Sequence, residues 1–480
     1  MKLAVVVQRY GAEINGGAEL HARYVAEHLS QHAQVEVLTT CARDYVTWRD
    51  DYPAGTELVN DVPVRRFRVD QERDAADFGR WSNRVFHHTH SYLDELKWLD
   101  AEGPKSTSLL RYLRSTDAGY DYVFFFSYRY YHSYHGTKAM PSRAVLVPTA
   151  ERDEAIGLEF SPRIFRGVRA LMYNSPEERR LIQTVSDNHS VPGVVVGIGS
   201  EIPQRTQPER FRQKYGITGR FALYVGRIDQ NKGCKELFAF FLGALEALPK
   251  GLQLVLIGKE MLPIPNHPRI RHLGFLGDQD KFDALAASDL LLMPSYYESL
   301  SMVALEAWAL GRPVLANAKC DVLKGQSIRS NAGLYYENRT EFIETLRALE
   351  RNRWLSATLG KNGRQFFREQ YDWPVIERKY LDMMARLASG AAGAGFEPLP
   401  GWLSKHRVDC PPAQEVVSSL SGGPVTRSEP PPIASRPQVP RPAAPPVQRH
   451  RESGSAPPDR RRHGGWQRRP SDRRQRQGGS

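Results

Sequence analysis

Glu298-Ser-Leu-Ser-Met-Val-Ala-Leu-Glu306 holds two carboxylates in one short stretch. A strand-like apolar run, Leu290 to Met293, precedes it, Pro294 to Ser301 is a polar turn, and Gly311-Arg312-Pro313 closes the helical pattern that begins near Met302. Glu298 therefore falls in the turn and Glu306 inside the helix. Between them lies a helix start, whose free N–H groups and positive dipole end suit a phosphate. One carboxylate can meet a group beyond that phosphate and the other a sugar diol on the near side, an arrangement that suits a nucleotide-sugar. Glutamates at this spacing also arise by chance on surface helices. Leu305, Trp308, Ala309 and Leu310 give this helix an apolar face beside Glu306. A carboxylate there needs a partner, because burying it unpaired is costly.

Working outward, strand-length apolar runs alternate with helical patterns through most of residues 1–390. In the first half the strands are Leu3 to Val7, Val35 to Leu38, Val64 to Val69, Tyr122 to Phe126, Ala144 to Val147, Ala170 to Tyr173 and Val194 to Val196. The order restarts with Phe221 to Val225, Leu252 to Ile257, Ile270 to Leu273, Asp289 to Met293 and Pro313 to Ala316. Alternation of this kind predicts parallel sheets covered by helices on both faces. Two blocks predict two doubly wound α/β domains, with a linker near residues 197–211. Ligands of such sheets bind at the carboxyl ends of the strands, where the Glu298 turn falls.

Two further loops share that edge. The first strand runs into Gln8-Arg9-Tyr-Gly-Ala-Glu-Ile-Asn-Gly16-Gly17-Ala-Glu19, where paired glycines open a helix. They allow close approach of backbone to a ligand, or simply a tight turn. The first strand of the second block ends in Val225-Gly226-Arg227-Ile-Asp-Gln-Asn-Lys232-Gly233. Arg227 offers a fork and Lys232 a point charge, a pair suited to a diphosphate.

Gly16-Gly17-Ala-Glu19, Gly226-Arg227 with Lys232-Gly233, and the Glu298 to Glu306 pair followed by Ala309-Leu-Gly-Arg-Pro-Val314 occur in that order. Together they resemble the retaining glycosyltransferases of family 4, including bacterial enzymes of glycan and cell-surface polysaccharide synthesis. The resemblance covers roughly residues 1–390. It implies the GT-B fold: two Rossmann-like doubly wound parallel-sheet domains facing a cleft. The N-terminal, acceptor-side domain is expected over 1–198 and the donor domain over 199–372. A helix over 373–390 is expected to cross back, and a disordered Pro/Arg-rich tail to follow over 391–480.

By the same resemblance, Arg227 and Lys232 hold the donor diphosphate, Glu306 the ribose diol, and Glu298 lies by the transferred sugar. The backbone of Ser299, Leu300 and Ser301 and the Gly16-Gly17 loop complete the phosphate cradle, with Lys259 and Phe275 near the base. No metal site and no cofactor are expected, the nucleotide-sugar being a co-substrate. Many relatives also carry a His-Asp pair after the strand matching Val145 to Val147. Here the run is Pro148-Thr-Ala-Glu151-Arg152-Asp153-Glu154, without histidine, so Asp153 and Glu154 are the candidates to face the cleft. His132 and His135 follow Tyr122 to Phe126 and are candidates for acid/base work, acceptor contact or packing among tyrosines.

The expected reaction is metal-independent transfer of a sugar, with retention, to a glycan, lipid-linked or small hydroxyl acceptor. The same fold also serves nucleotide-sugar epimerases and phosphorylases, and a catalytically inactive nucleotide-binding scaffold with a basic tail is the reading from another class.

Composition fits this frame. At 41% hydrophobic and 25% charged residues the chain reads as globular with a hydrophilic appendage. No apolar run approaches the roughly 18 residues of a membrane span. Met1-Lys2 leads straight into a strand without a signal-peptide core. The four cysteines, Cys41, Cys234, Cys320 and Cys410, have no metal-like spacing. A cytoplasmic location is the expectation. The net charge of +12 is mostly a tail effect, since residues 391–480 hold 15 Lys+Arg against 7 Asp+Glu. That segment also carries 16 of the 33 prolines, so its composition predicts disorder. Its arginine runs suit an anionic partner or no specific ligand, and no specific nucleic acid is expected. Arg163, Arg166, Arg169, Arg179 and Arg180 cluster with Ile164, Phe165, Leu171 and Met172. They form either a peripheral contact for the anionic inner face of a membrane or an ordinary helix and strand with solvated arginines.

Overall fold

The computed structural model describes residues 1–115, 119–247 and 251–390. The tail over 391–480, with the partner expected for it and Cys410, lies outside the described residues.

Two sheets form the frame. The first contains β1 (Lys2–Val6), β2 (Gln34–Thr40), β3 (Gly55–Val59), β4 (Val62–Phe67), β5 (Tyr122–Phe126), β6 (Ala144–Val147), β7 (Ala170–Tyr173) and β8 (Gly193–Val195). Its order is β3-β4-β2-β1-β5-β6-β7-β8. All its pairings are parallel except that of β3 with β4. The second contains β9 (Phe221–Val225), β10 (Gln253–Ile257), β11 (Ile270–His272), β12 (Leu290–Met293), β13 (Val314–Asn317) and β14 (Gly333–Tyr336). Its order is β11-β10-β9-β12-β13-β14, parallel throughout.

The central strands are apolar on both faces, as parallel strands covered on two sides must be. Alternation of apolar with polar residues is absent from them: β5 reads Tyr-Val-Phe-Phe-Phe, and Val123 to Phe126 are wholly buried. Two strands are not announced by apolar runs. β3 is an exposed edge, and β14 is short and begins with glycine.

Strand order reverses beside β1 in the first sheet and beside β9 in the second. Crevices open at such switch points, at the carboxyl ends of the strands. The Gly16-Gly17 loop follows β1, the Arg227–Lys232 loop follows β9, and the Glu298 turn follows β12, the neighbour of β9.

The last described helix, Trp373–Ala388, packs on the first sheet's side. Asp372 caps it and Pro374 occupies its first turn. Trp373 stacks on His28 with ring centroids 3.6 Å apart, and Tyr380 meets Phe124 edge-on. The buried Lys379 ammonium donates to the carbonyls of Val196 and Gln370, at 3.0 Å each.

The arginine-rich segment does not present its apolar residues to a lipid surface. Ile164, Phe165, Leu171 and Met172 all lie in the core. Arg163 pairs with Glu159, and Arg166 donates to the Ser186 carbonyl. A periodicity of arginine and apolar residues is what an ordinary amphipathic segment needs to cover a core. Among the described residues no helix is long and apolar enough to cross a membrane.

Candidate active site

The loop after β9 is shaped by contacts that exclude a Cβ. Gly233 has φ +72°, and a Cβ there would lie 2.0 Å from the Pro294 carbonyl oxygen. Gly258, at φ +140°, would place one 1.9 Å from the Gly226 oxygen. The ends of β9, β10 and β12 are thus drawn together by glycines that no side chain can replace. Asp229 accepts from the Lys232 amide at 2.8 Å and also binds the Arg227 guanidinium.

This folding brings Lys232 onto Glu298, Nζ to Oε1 at 2.8 Å. Burial works against the Lys232 cation, but the Glu298 and Glu151 carboxylates outweigh it and hold its pKa above the ordinary value. Arg227 points its other end toward Tyr45 of the first domain, 3.5 Å away.

Ser301 caps the helix Met302–Ala309, its hydroxyl accepting from the Ala304 amide. The remaining first-turn N–H groups have no partner within the helix. Ser299 is half-buried, and its hydroxyl accepts from the Asn174 side chain across the cleft at 3.4 Å. Leu300 turns its side chain into the core, so only its backbone is available to a ligand.

Glu306 is 2% exposed. Its Oε1 accepts from Ser200 Oγ and Lys281 Nζ, both at 2.9 Å, while its buried Oε2 has no protein partner among the described residues. A carboxylate fixed on one oxygen and unsatisfied on the other is ready to accept from a ligand hydroxyl. Tyr24, on the helix Gly17–Leu29, lies within the field of Glu306 and Asp278, so the first domain borders this corner.

In the first domain, Gly16 has no room for a side chain. A Cβ would sit 2.2 Å from the Glu19 carboxylate, which folds back to bind Arg9 at 2.6 Å. Gly17 faces open space. His132 is buried, its Nε2 3.3 Å from the Phe126 carbonyl. His135 packs against Tyr131 and Tyr134, 4.0 Å from Asp100. Burial pushes both imidazoles down to about 4. Their partners all belong to the first domain. Lys259 and Phe275 are exposed at the rim beyond β10 and β11, and their side chains do not join the Lys232–Glu298 pair.

The turn after β6 differs from expectation. Asp153 caps the short helix Glu154–Gly157 and holds Arg129 at 2.7 Å, and Glu154 is exposed. Glu151 is the carboxylate that shares the field of Lys232 and Glu298. Burial first, and then Glu298 and Asp153, push it up to about 7 against the pull of Lys232 and Arg129. Lys281, Ser200, Asn174 and Glu151 are the site residues that motif reading passes over. Lys281 carries one signal, the demand of an apolar-face Glu306 for a partner. Among the described residues no cluster of three or more His, Cys, Asp or Glu is placed to hold a metal ion.

Residues 207–366 match the family model described as glycosyl transferases group 1. Mannosylfructose-phosphate synthase of Agrobacterium fabrum is 25% identical over 194 residues, covering 37% of this chain and 42% of that protein. The lipopolysaccharide glucosyltransferase WaaG of Escherichia coli is 33% identical over 121 residues, 23% of this chain and 32% of that one. The chain thus spans less than half the length of these curated relatives. Solved structures extend the likeness at the level of fold. Sucrose-phosphate synthase of Thermosynechococcus elongatus superposes with a TM-score of 0.59 at 17% identity, covering 81% of this chain and 99% of that one. Anabaena HepE in complex with UDP-glucose gives 0.56 at 16% identity, over 81% and 100%. The two-sheet architecture is the GT-B fold, and the family-model match falls within its second half.

Proposed function

We propose that this chain, whose residues 207–366 match group 1 glycosyl transferases, moves a sugar from a nucleoside diphosphate donor to a hydroxyl acceptor. The single observation that carries the reading is the pairing of Lys232 with Glu298 beside a capped helix start, with Glu306 buried and half-satisfied behind it. Breaking the sugar–phosphate bond builds negative charge on the departing diphosphate. Lys232, Arg227 and the helix N-terminus stabilise that charge in place before it forms, which is how an active site lowers such a barrier. These fixed charges make the transfer metal-independent, and no cofactor enters beyond the co-substrate.

An entering diphosphate draws Lys232 away from Glu298. The freed carboxylate then faces the transferring sugar, while Glu306 Oε2 accepts from the ribose diol. His132, buried, and His135, half-buried, are both neutral and shape the acceptor side. Attack from the face the diphosphate leaves gives retention. Relatives and neighbours named for sugar-phosphate, lipopolysaccharide and UDP-glucose chemistry support a UDP-hexose donor and a glycan, lipid-linked or small sugar acceptor. Such a reaction belongs in the cytoplasm, where nucleotide-sugars are supplied.

The test is incubation of the full chain with UDP-, GDP- and ADP-linked hexoses carrying a labelled sugar, with pooled sugar, sugar-phosphate and lipid-linked acceptors. The proposal predicts acceptor-dependent release of one nucleoside diphosphate and an anomeric configuration that matches the donor. Epimerised donor, or sugar-phosphate formed from free phosphate, would favour the other reactions of this fold.

A further inference from the structure

Glu178, on the helix Pro176–Ser186, ties together the turns after β6 and β7. It is 1% exposed and accepts from the Ala150 amide at 2.6 Å and from the Asn174 amide. These turns reach the second domain. Asn174 meets Ser299, and Arg152 Nη2 lies 3.1 Å from Asp321 Oδ2. Glu151 stands between Ala150 and Arg152 on this lip, half-buried and opposite the Lys232–Glu298 pair. Among the described residues no side chain donates a hydrogen bond to its carboxylate, although it is surrounded by charge. Lys232, Glu298 and the Cys320 thiol share its field from the second domain, and Asp153, Arg129, Tyr128 and the buried Glu178 from its own. Lys232 and Glu298 are paired until a diphosphate draws Lys232 away, and the carboxylate this frees belongs to the donor domain, facing the transferring sugar. Glu151 is therefore the carboxylate that the first domain brings into the field of this pair with no ion-pair or hydrogen-bond partner of its own among the described residues.

We infer that Glu151 is a catalytic residue that takes the proton of the acceptor hydroxyl. The inference rests on the transfer reaction proposed above. The acceptor O–H bond breaks and its proton goes to a Glu151 carboxylate oxygen. The acceptor oxygen forms the bond to the anomeric carbon, and the bond from that carbon to the diphosphate oxygen breaks, its electron pair leaving with the diphosphate. Glu151 then returns the proton to solvent or to the released diphosphate. Burial that raises the carboxyl to about 7 matches it to accept a proton near neutrality. Glu178 acts through backbone, as a positioning residue, by holding the Ala150 turn against the cleft.

The test uses the full chain with UDP-glucose, GDP-mannose and ADP-glucose and water as acceptor, followed as diphosphate release across pH, with diphosphate binding measured by calorimetry. In the wild type, kcat/KM should rise about tenfold per pH unit up to a bend near 7 and then level. Glu151→Gln should bind the diphosphate within about threefold of wild type, release it about 100-fold more slowly or worse, and lose the acid limb. Glu151→Asp should recover part of the rate with the limb restored. A Glu151→Gln protein that turns over normally, keeps the acid limb or loses diphosphate binding overturns the inference. A wild type that neither binds nor cleaves any donor overturns the transfer reading instead, and the role of Glu151 with it.

Discussion

At the scale of single residues, the site depends on positions where one atom more or less changes the outcome. Gly233→Ala would place a methyl 2.0 Å from the Pro294 carbonyl at a φ of +72°. The left-handed strain and the overlap together should cost about 2–5 kcal/mol, read as a lower denaturation midpoint with weakened diphosphate binding. Gly17→Ala, facing open space, should leave stability nearly unchanged. Much of the site is legible at this scale. From the sequence Lys232 is expected at the donor diphosphate and Glu298 beside the transferred sugar; the structure pairs the two side chains at 2.8 Å. Glu306 demands a partner, but the sequence does not name Lys281 and Ser200. They reach it from a helix and a linker remote in sequence, and motif spacing records only local order. Glu151 escapes for a related reason. Asp153 and Glu154 look equivalent to it until the turn after β6 directs one to Arg129, one to solvent and Glu151 to the cleft.

Among elements, the helix Trp373–Ala388 is held by a histidine between two carboxylates. His28 Nδ1 lies 2.7 Å from Glu377 and Nε2 2.6 Å from Glu201, with Trp373 stacked on its ring. His32 adds a second contact to Glu377 at 3.0 Å. Burial disfavours the His28 cation, but the two carboxylates prevail and raise its pKa. The stabilisation is therefore complete below the unfolded value of about 6.5 and is lost as pH rises through the raised folded value. Burial also acts on Glu377 in the raising direction, but the histidine hydrogen bonds win and lower it. Its contribution is present above its ordinary value and lost as pH falls through the lowered one. Comparing wild type with His28→Gln should thus show the largest difference near pH 5–6, about 1–2 kcal/mol. That difference should shrink toward pH 9 in chemical denaturation; one that grows with pH would contradict the assignment. The alternation that predicts the sheets is clear because parallel strands buried on both faces are continuous apolar runs. β3 is invisible because it is a polar edge, and the excursion through Ala75–His87, Tyr92–Glu102 and Thr107–Arg114 carries no motif.

On the scale of the whole molecule, the two sheets are joined by a buried ion pair as well as by the cleft contacts. Glu177, one residue before Glu178, binds Arg329 of the helix Asp321–Ser330 through both oxygens, at 2.5 and 3.1 Å. Arg329 is 1% exposed, and Gly325 clears the approach, since a Cβ there would lie 1.8 Å from the Glu177 carboxylate. Glu177→Ala strands the buried guanidinium and should destabilise by about 3–5 kcal/mol. The Glu177→Ala/Arg329→Ala double variant should cost about 1–3 kcal/mol less than the sum of its singles. Additive losses would show that the pair does not couple the domains. The latch keeps the two strand-end crevices facing each other, and the donor reading requires that they do. Calorimetric titration of the full chain with UDP, GDP and ADP, with magnesium and with chelator, tests that reading most directly. The account predicts that one diphosphate binds, that binding survives chelation, and that Lys232→Ala and Glu306→Ala each weaken it about tenfold or more. Contradiction would be a folded wild type that binds none of the three, or one whose binding is indifferent to both substitutions.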